Sequence, residues 1–300
     1  MGDLRVKVCC GHRRPVCHIA YSGVCDGSYW FISSSHDSKP ILHNGETGEW
    51  VGTFTGHTGA IYGSCMYEDA EKAITVSGDY TAKIWNCLNG TCLNTWTHPH
   101  YVKCCDWKGS QILTGCFDNN VRLFDATNYE SGPIQWTPHE GVCKSVYFLP
   151  NGGILTAAED TISQWDTRDL QAPVRTIKID GMNCVDYVRE YHNTIVASHK
   201  SGVSLIECES FTMSQPIDTT EEIACASISP DGKNIAVGSG LLIKEYSTEG
   251  EVQRVHYGHH GPVFHVQYCP TGDTFTSGAE DGMIRIWPTS RLLHAHENAE

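Results

Sequence analysis

The sequence predicts an all-β protein in which seven four-stranded sheets, or blades, close into a ring, the architecture called a β-propeller. Three observations predict it. A segment recurs at steps of 39 to 42 residues, most copies contain a strand-like run that ends near an aromatic residue, and the composition favours short strands and tight turns. Gly accounts for 29 of 300 residues and charged residues for only 19%, whereas average domains contain about 7% Gly and about 25% charged residues.

The repeat is clearest in the third strand of each copy. Residues 82–86, 121–125, 162–166 and 284–288 share one pattern of alternating apolar residues. Its aromatic position is occupied, in seven successive copies, by His43, Trp85, Phe124, Trp165, Ile206, Tyr246 and Trp287. A period of this length, with Gly-His and Trp-Asp dipeptides, is typical of WD40 repeats, which supply four strands to each blade.

A second marker has the same period. Gly-His dipeptides or their remnants stand at His12, His57, His98, His139, Asp180, Glu221 and His259. Four residues after each come Val16, Ile61, Val102, Cys143, Cys184, Cys225 and Val263. Because small or β-branched apolar residues fill this register, we expect it to face the core and to bury the three cysteines.

The ring must close at its seventh blade. After Trp287 only a polar segment remains, whereas residues 4–9 alternate like a strand and have no other partner. We therefore expect the N-terminal strand to complete the last blade, since this removes two exposed edges. The predicted organisation is a single propeller over residues 1–290 and a polar C-terminal tail over residues 291–300.

Two copies contain a constellation that resembles a hydrolase triad. With identical spacings of 18, 4 and 6, blades two and seven contain His57, Thr75, Asp79 and Trp85, and His259, Ser277, Asp281 and Trp287. The constellation occurs twice in one chain, and each copy includes an indole that can only donate a hydrogen bond. We therefore expect structural tetrads that satisfy buried polar groups, and no catalytic residues, although a hydrolase using His57 and Thr75 is the enzymatic alternative.

Composition excludes several function classes. The 35 acidic and 21 basic residues give a net charge of −14, so direct nucleic-acid binding is not expected. The charged N-terminus does not resemble a signal peptide, and the absence of a long apolar run predicts no membrane contact. An odd count of fifteen cysteines without a Cys-x-x-Cys pair indicates a reducing compartment. We expect a cytoplasmic protein that can also be nuclear.

No metal or cofactor is expected. The two His-x-His segments, 98–100 and 294–296, have no Cys or acidic residue at ligand spacing. The sequence also contains no Gly-rich phosphate loop.

What remains is a surface for protein partners. The loops that carry Gly-His and Asp form one rim of the ring, and we predict a partner-binding rim there, made of Arg13, Arg14, Lys39, Tyr62, Tyr80, His100, Tyr101, Phe117 and Phe264. Arginine and aromatic side chains are the usual composition of interface hot spots, and the basic cluster suits an acidic partner. The alternative is that these are ordinary loop residues.

Two segments resemble a known family. Residues 39–60 and 258–282 are similar to the first two blades and the last blade of the serine/threonine-kinase receptor-associated (Unr-interacting) family. The resemblance implies a non-enzymatic adaptor, monomeric within a larger complex. It also implies association with the survival-of-motor-neuron (SMN) complex that loads Sm proteins onto spliceosomal RNAs, with an RNA-binding cold-shock protein, and with growth-factor receptor signalling. The sequence departs from the family at His43 and Asn44, and it lacks the family's acidic C-terminal extension.

Two alternatives stay open. The i subunit of eukaryotic translation initiation factor three is similar in blades two and seven, but it usually has an insertion before the last blade. Here Tyr246 and Trp287 are only 41 residues apart. Residues 165–168 match the Trp-Asp-x-Arg signature of cullin ligase substrate receptors, which is also common in propellers without that role.

Overall fold

The computed structural model describes residues 5–187, 193–200, 202–219 and 221–289. These residues form 28 strands in seven antiparallel sheets of four strands each. The predicted all-β, seven-bladed propeller is therefore confirmed. No helix that could cross a membrane occurs in this part of the chain.

Blades one to six each consist of four consecutive strands. Blades one to three contain β2 (Val16–Tyr21), β3 (Trp30–Ser35), β4 (Ile41–Asn44), β5 (Trp50–Thr53), β6 (Ile61–Met66), β7 (Lys72–Ser77), β8 (Thr81–Asn86), β9 (Cys92–Thr97), β10 (Val102–Lys108), β11 (Gln111–Cys116), β12 (Val121–Asp125) and β13 (Ile134–Trp136). Blades four to six contain β14 (Ser145–Phe148), β15 (Ile154–Ala158), β16 (Thr161–Trp165), β17 (Arg175–Lys178), β18 (Met182–Tyr187), β19 (Thr194–His199), β20 (Gly202–Glu207), β21 (Thr212–Met213), β22 (Cys225–Ile228), β23 (Asn234–Ser239), β24 (Leu242–Ser247) and β25 (Val252–His256).

Blade seven is closed by the start of the chain. It contains β26 (Val263–Tyr268), β27 (Thr274–Ala279), β28 (Ile284–Pro288) and, as its outer strand, β1 (Lys7–Cys9). β1 is antiparallel to β28, with Lys7 opposite Ile286 and Cys9 opposite Ile284. The predicted closure by the N-terminal strand is confirmed. The predicted tail, residues 291–300, and the boundary at residue 290 lie outside the described residues.

The hydrophobic core lies between the blades. One cluster joins Ile74 of blade two to Trp107 of blade three, and another joins Val16 of blade one to Ile286 of blade seven. Each sheet uses alternate side chains to cover its two neighbours, because strand side chains point to opposite faces. The rim loops therefore stand on a rigid ring.

The inner strands differ from prediction in blades five and six. In the pairing of the first and second strands, Met182 of blade five takes the position that Val16 has in blade one. Cys184 pairs with Ser198, just as His18 pairs with Ser34. The predicted position of Cys184 is therefore wrong by two residues. The connection before β18, residues 179–181, is shorter than residues 257–262 before β26, because blade five has lost its Gly-His loop.

The cysteines of this register differ in burial. Cys143 and Cys225 are 0% and 1% exposed, whereas Cys184 is only partly buried and lies on the wall of the central channel. Cys225 shares the shift, since it pairs with Gly238 as His265 pairs with Gly278.

A channel of about 770 Å³ runs along the inner strands. In five blades the second residue of the inner strand is skipped by the pairing ladder, as in a β-bulge. With the equivalent residues of the other two blades, these form a mouth ring, one residue per blade, that consists of Cys17, Tyr62, Lys103, Lys144, Asn183, Ala224 and Phe264.

Candidate protein-interaction site

The blade-two tetrad anchors its rim loop to the sheet. His57 Nδ1 lies 2.7 Å from Asp79 Oδ2, and His57 Nε2 lies 2.8 Å from Thr75 Oγ1. Trp85 Nε1 donates to the same hydroxyl at 2.7 Å, and Asp79 also accepts from the Thr58 amide at 3.0 Å. Burial alone would raise the pKa of Asp79, but hydrogen bonds from His57, Thr81 and Thr58 hold it well below its usual range.

Blade seven repeats this geometry. His259 Nε2 is 2.7 Å from Ser277 Oγ, Trp287 Nε1 donates to that hydroxyl at 2.8 Å, and His259 Nδ1 is 3.1 Å from Asp281 Oδ2. Thr75 and Ser277 are each 0% exposed. Both hydroxyls are thus enclosed between an imidazole and an indole, and no substrate reaches either oxygen in this structure.

Blade one contains a third tetrad that the sequence analysis missed. His12 lies 2.9 Å from Asp37 and 2.8 Å from Ser33, and His43 takes the place of the indole at 3.4 Å from Ser33 Oγ. Ser33, Asp37 and His43 keep the spacings of 4 and 6, and this was the available signal. It was hidden because a longer loop separates His12 from Ser33. Burial lowers the pKa of His43 to about 4, and its ring stacks on Phe31 at 4.7 Å.

Blade three holds its acid differently. Asp118 forms a bidentate pair with Arg122, with contacts of 2.5 and 3.2 Å, while His98 binds Thr114 at 2.9 Å. The rim acids of these blades therefore all accept hydrogen bonds from donors of their own blades, as Asp37, Asp79 and Asp118 show. Their carboxylates do not pair with the basic side chains of the rim.

Those basic side chains project into solvent. Arg13, Arg14 and Lys39 are exposed, and none of them has an ion-pair partner among the described residues. Arg13 directly follows His12 of the blade-one tetrad. The tetrad fixes the loop, because its Asp37 also accepts a hydrogen bond from the Arg13 amide at 3.1 Å. The loop backbone is thus anchored while its charged side chains remain available.

The predicted aromatic residues of blades two and three form one aromatic cluster. The cluster consists of Tyr62, Tyr80, His100, Tyr101 and Phe117. Tyr101 is its centre, with ring centroids 4.7 Å from His100, 5.1 Å from Tyr80, 5.8 Å from Phe117 and 6.4 Å from Tyr62. Tyr80, Tyr101 and Phe117 remain 41%, 37% and 41% exposed. Phe264, which is 38% exposed, lies apart on blade seven.

Tyr80 occupies a strained backbone conformation. Its φ is +69°, and the equivalent residue of blade seven is Gly282 with φ +73°. A bulky residue in this region costs about 1–2 kcal/mol, and such strain tends to be retained at functional sites. The sequence signal for this conformation is the presence of Tyr directly after the tetrad Asp, where blade seven has Gly.

Charge divides the rim into two parts. The basic–aromatic sector, on blades one to three, consists of Arg13, Arg14, Lys39 and the aromatic cluster. The same rim on blades four to seven carries the exposed acids Glu140, Glu159, Glu222 and Glu280 and the exposed base Lys200, so its net charge is negative. A partner therefore meets two surfaces of opposite sign on one face of the ring.

Comparisons with known proteins agree with the repeat architecture. Residues 48–86, 90–125 and 250–288 match the WD40 family, described as WD domain, G-beta repeat. The chain is 27% identical over 324 residues to subunit I of eukaryotic translation initiation factor 3 from Candida glabrata, covering 94% of this chain and 92% of that protein.

Identity is higher to another group of proteins. Over 289 residues the chain is 33% identical to the serine-threonine kinase receptor-associated protein of Gallus gallus, covering 94% of this chain and 82% of the relative. The Homo sapiens protein is 33% identical over 293 residues, with 94% and 81% coverage, and the Dictyostelium discoideum protein 32% over 288 residues, with 93% and 97%. The chain belongs to the serine-threonine kinase receptor-associated protein family of WD-repeat propellers.

Proposed function

We propose that this propeller is a non-enzymatic scaffold that binds an acidic segment of a protein partner through its basic–aromatic sector. The observation that carries the proposal is the sector itself. Exposed aromatic rings lie beside arginines that have no ion-pair partner in the described part of the chain, and the net charge of the whole chain is −14. Such a combination provides both apolar anchors and electrostatic steering for an acidic partner.

The pathway we propose is ribonucleoprotein assembly. Family membership supports a scaffold of the SMN type, acting in spliceosomal particle assembly and mRNA metabolism in the cytoplasm and also in the nucleus. The relatives' name ties them to serine-threonine kinase receptors. We propose protein partners only, with no direct contact to nucleic acid or membrane and no cofactor.

The tetrads favour a scaffold over a hydrolase. A catalytic hydroxyl must reach the substrate, yet Thr75 is 0% exposed and its oxygen is bonded to His57 and Trp85. The translation-initiation subunit remains the second candidate, supported by the 27% identity to subunit I. The cullin-receptor alternative rests only on the Trp-Asp-x-Arg match at residues 165–168, a signature that is also common in propellers without that role.

Affinity purification from the native cell tests the proposal. The wild-type chain should recover Sm-assembly components, and the double variant Arg13→Glu, Arg14→Glu should lose them, because like charges would then face each other. The Tyr80→Asn variant should also weaken recovery without loss of stability, since Asn tolerates the left-handed conformation.

A matched control changes the same charge elsewhere. Lys233→Glu with Arg254→Glu alters two exposed blade-six residues far from the sector and should leave recovery unchanged. Equal recovery by both double variants would place the interface outside the sector. A stoichiometric set of translation-initiation subunits would instead establish the second candidate.

A further inference from the structure

Two lysines stand side by side in the mouth ring. Lys103 of blade three and Lys144 of blade four line the channel. The Lys103 ammonium lies 4.9 Å above the ring of Tyr62, and the Lys144 ammonium donates to the Met182 carbonyl at 3.0 Å. Neither ammonium has a carboxylate partner among the described residues, so both retain donors that a ligand can use.

The mouth is electrostatically continuous with the basic–aromatic sector. Tyr62, beneath Lys103, also contacts Tyr101 and, at 5.7 Å, His36. Burial lowers the pKa of His36, and the positive charges of Lys103 and Arg14 lower it further. A chain segment bound on the aromatic cluster therefore passes beside the Lys103 ammonium.

The opposite wall supplies a neutral polar contact. His18 and His265, on blades one and seven, lie with their ring centroids 4.4 Å apart. His265 is only 7% exposed, and its Nδ1 is buried without a hydrogen-bond partner in the described part of the chain. Burial lowers the pKa of both imidazoles, so this wall adds no positive charge and the two lysines carry the attraction for an anion.

The lower channel limits how far an anion enters. Three residues beyond the mouth ring, Asp106 and Asp186 occupy the wall. The Asp106 carboxyl accepts hydrogen bonds from the amides of Trp107 and Phe148 at 2.9 and 2.7 Å. Carboxyl groups thus line the wall directly below the two lysines, which favours an anionic side chain at the mouth over one deeper in the channel.

We propose that the channel mouth binds a carboxylate side chain of the partner segment, held between Lys103 and Lys144, while apolar side chains of the same segment pack on the aromatic cluster. This inference rests on the proposed function, because it names the chemistry of the segment that the sector binds. It assigns the partner an acidic residue flanked by aromatic or aliphatic residues.

A fluorescent peptide tests this site on the full chain. The probe alternates Phe with paired Glu, and its analogue contains Gln in place of Glu. We expect saturable binding of the Glu peptide, about tenfold or more tighter than the Gln peptide, because charge-assisted hydrogen bonds are the stronger ones. The Lys103→Gln, Lys144→Gln variant should bind both peptides equally.

The control removes two charges elsewhere. Lys83→Gln with Lys178→Gln changes one residue on blade two and one on blade four, neither of which lines the channel, so it should keep the preference for Glu. Equal affinity of the wild-type chain for both peptides, or equal loss in both double variants, would overturn the inference.

The two experiments together distinguish failure of the proposed function from failure of the channel site. If Arg13→Glu, Arg14→Glu recovers native partners unchanged while the Glu preference still needs Lys103 and Lys144, the sector is wrong and the channel site stands. If partner recovery needs the arginines but the Glu preference does not need the lysines, the channel site is overturned and the proposed function stands.

Discussion

The Thr75 hydroxyl lies between an indole that can only donate and an imidazole that can donate or accept, and this assigns the protons of the relay. Trp85 donates to the hydroxyl, so the hydroxyl donates its one proton to His57 Nε2. The remaining imidazole proton then lies on Nδ1 and is donated to Asp79. Every buried polar atom of the tetrad is satisfied.

Replacing Thr75 with Val should destabilise the fold without affecting any chemistry. The variant keeps the shape but leaves the Trp85 N–H and the His57 Nε2 unpaired, at about 1–3 kcal/mol for each. We expect the free energy of unfolding in urea to fall by about 2–6 kcal/mol. Thr97→Val, at an exposed position of the same blade, should change the free energy of unfolding little. A Thr75→Val variant with the same free energy of unfolding as the wild type would contradict the relay.

Asp186 should make stability depend on pH. Burial raises the pKa of this carboxyl to about 7, although hydrogen bonds from Ser227 and the Tyr187 amide oppose the shift. The folded state therefore binds a proton that the unfolded state releases above its usual pKa of about 3.9. Stability from this group is complete below that value and is lost as pH rises toward 7, with a slope of up to about 1.4 kcal/mol per pH unit.

The Asp186→Asn variant isolates this contribution. Its free energy of unfolding, relative to the wild-type value, should increase between pH 5 and pH 8, because Asn has no proton to lose. Asp125→Asn removes a carboxyl whose pKa is lowered by hydrogen bonds that it accepts from Thr127, so it should show no such change in this range. A parallel pH dependence of the wild type and Asp186→Asn would show that Asp186 stays ionised.

At the level of elements, the sequence predicts blade number and closure but not local register. The aromatic position and the Gly-His marker repeat because each blade needs the same inner packing. A fixed repeat spacing predicts the wrong register for Cys184 and Cys225, because loops can lose two residues without disturbing the strands that they join. The blade-one tetrad was missed for the same reason, as the loop before Ser33 is longer.

Deleting residues 1–10 should open the ring. The variant loses β1, which exposes the backbone of β28 and the buried Ile284 and Ile286 that Cys9 helps to cover. An exposed, apolar edge promotes aggregation. We expect loss of cooperative thermal unfolding and a shift to large species in size-exclusion chromatography. Deletion of residues 1–4 alone should preserve both properties, and a soluble, cooperative 1–10 deletion would contradict closure by β1.

At the scale of the whole molecule, the rim residues could be chosen from sequence but their arrangement could not. Tyr62, Tyr80, Tyr101 and Phe117 come together because β6 and β10 are neighbouring inner strands. Phe264 has the same chemistry but lies on blade seven. The left-handed conformation of Tyr80 depends on a turn that no repeat spacing encodes. The two mouth lysines follow Val102 and Cys143 in the predicted register, but only the structure shows that this position lines the channel.

The division of charge across the rim should appear in association kinetics. An acidic partner is steered toward Arg13 and Arg14 by a field that salt screens beyond about 8–10 Å. We expect the association rate constant with the captured partner to fall about tenfold or more as salt rises from low to high concentration, with a smaller change in the dissociation rate. The blade-six double variant should show the same salt dependence, and a rate that does not change with salt would exclude steering.

The pairing of Lys7 with Ile286 also determines when folding can finish. During synthesis, β1 leaves the ribosome first and has to wait for β28, roughly 15–60 s at about 5–20 residues per second. Throughout that interval the incomplete ring of blades exposes an apolar sheet face at each of its two ends. Bringing together strands so far apart in sequence is also slow. The nascent chain is therefore expected to depend on holding chaperones until its last strand emerges.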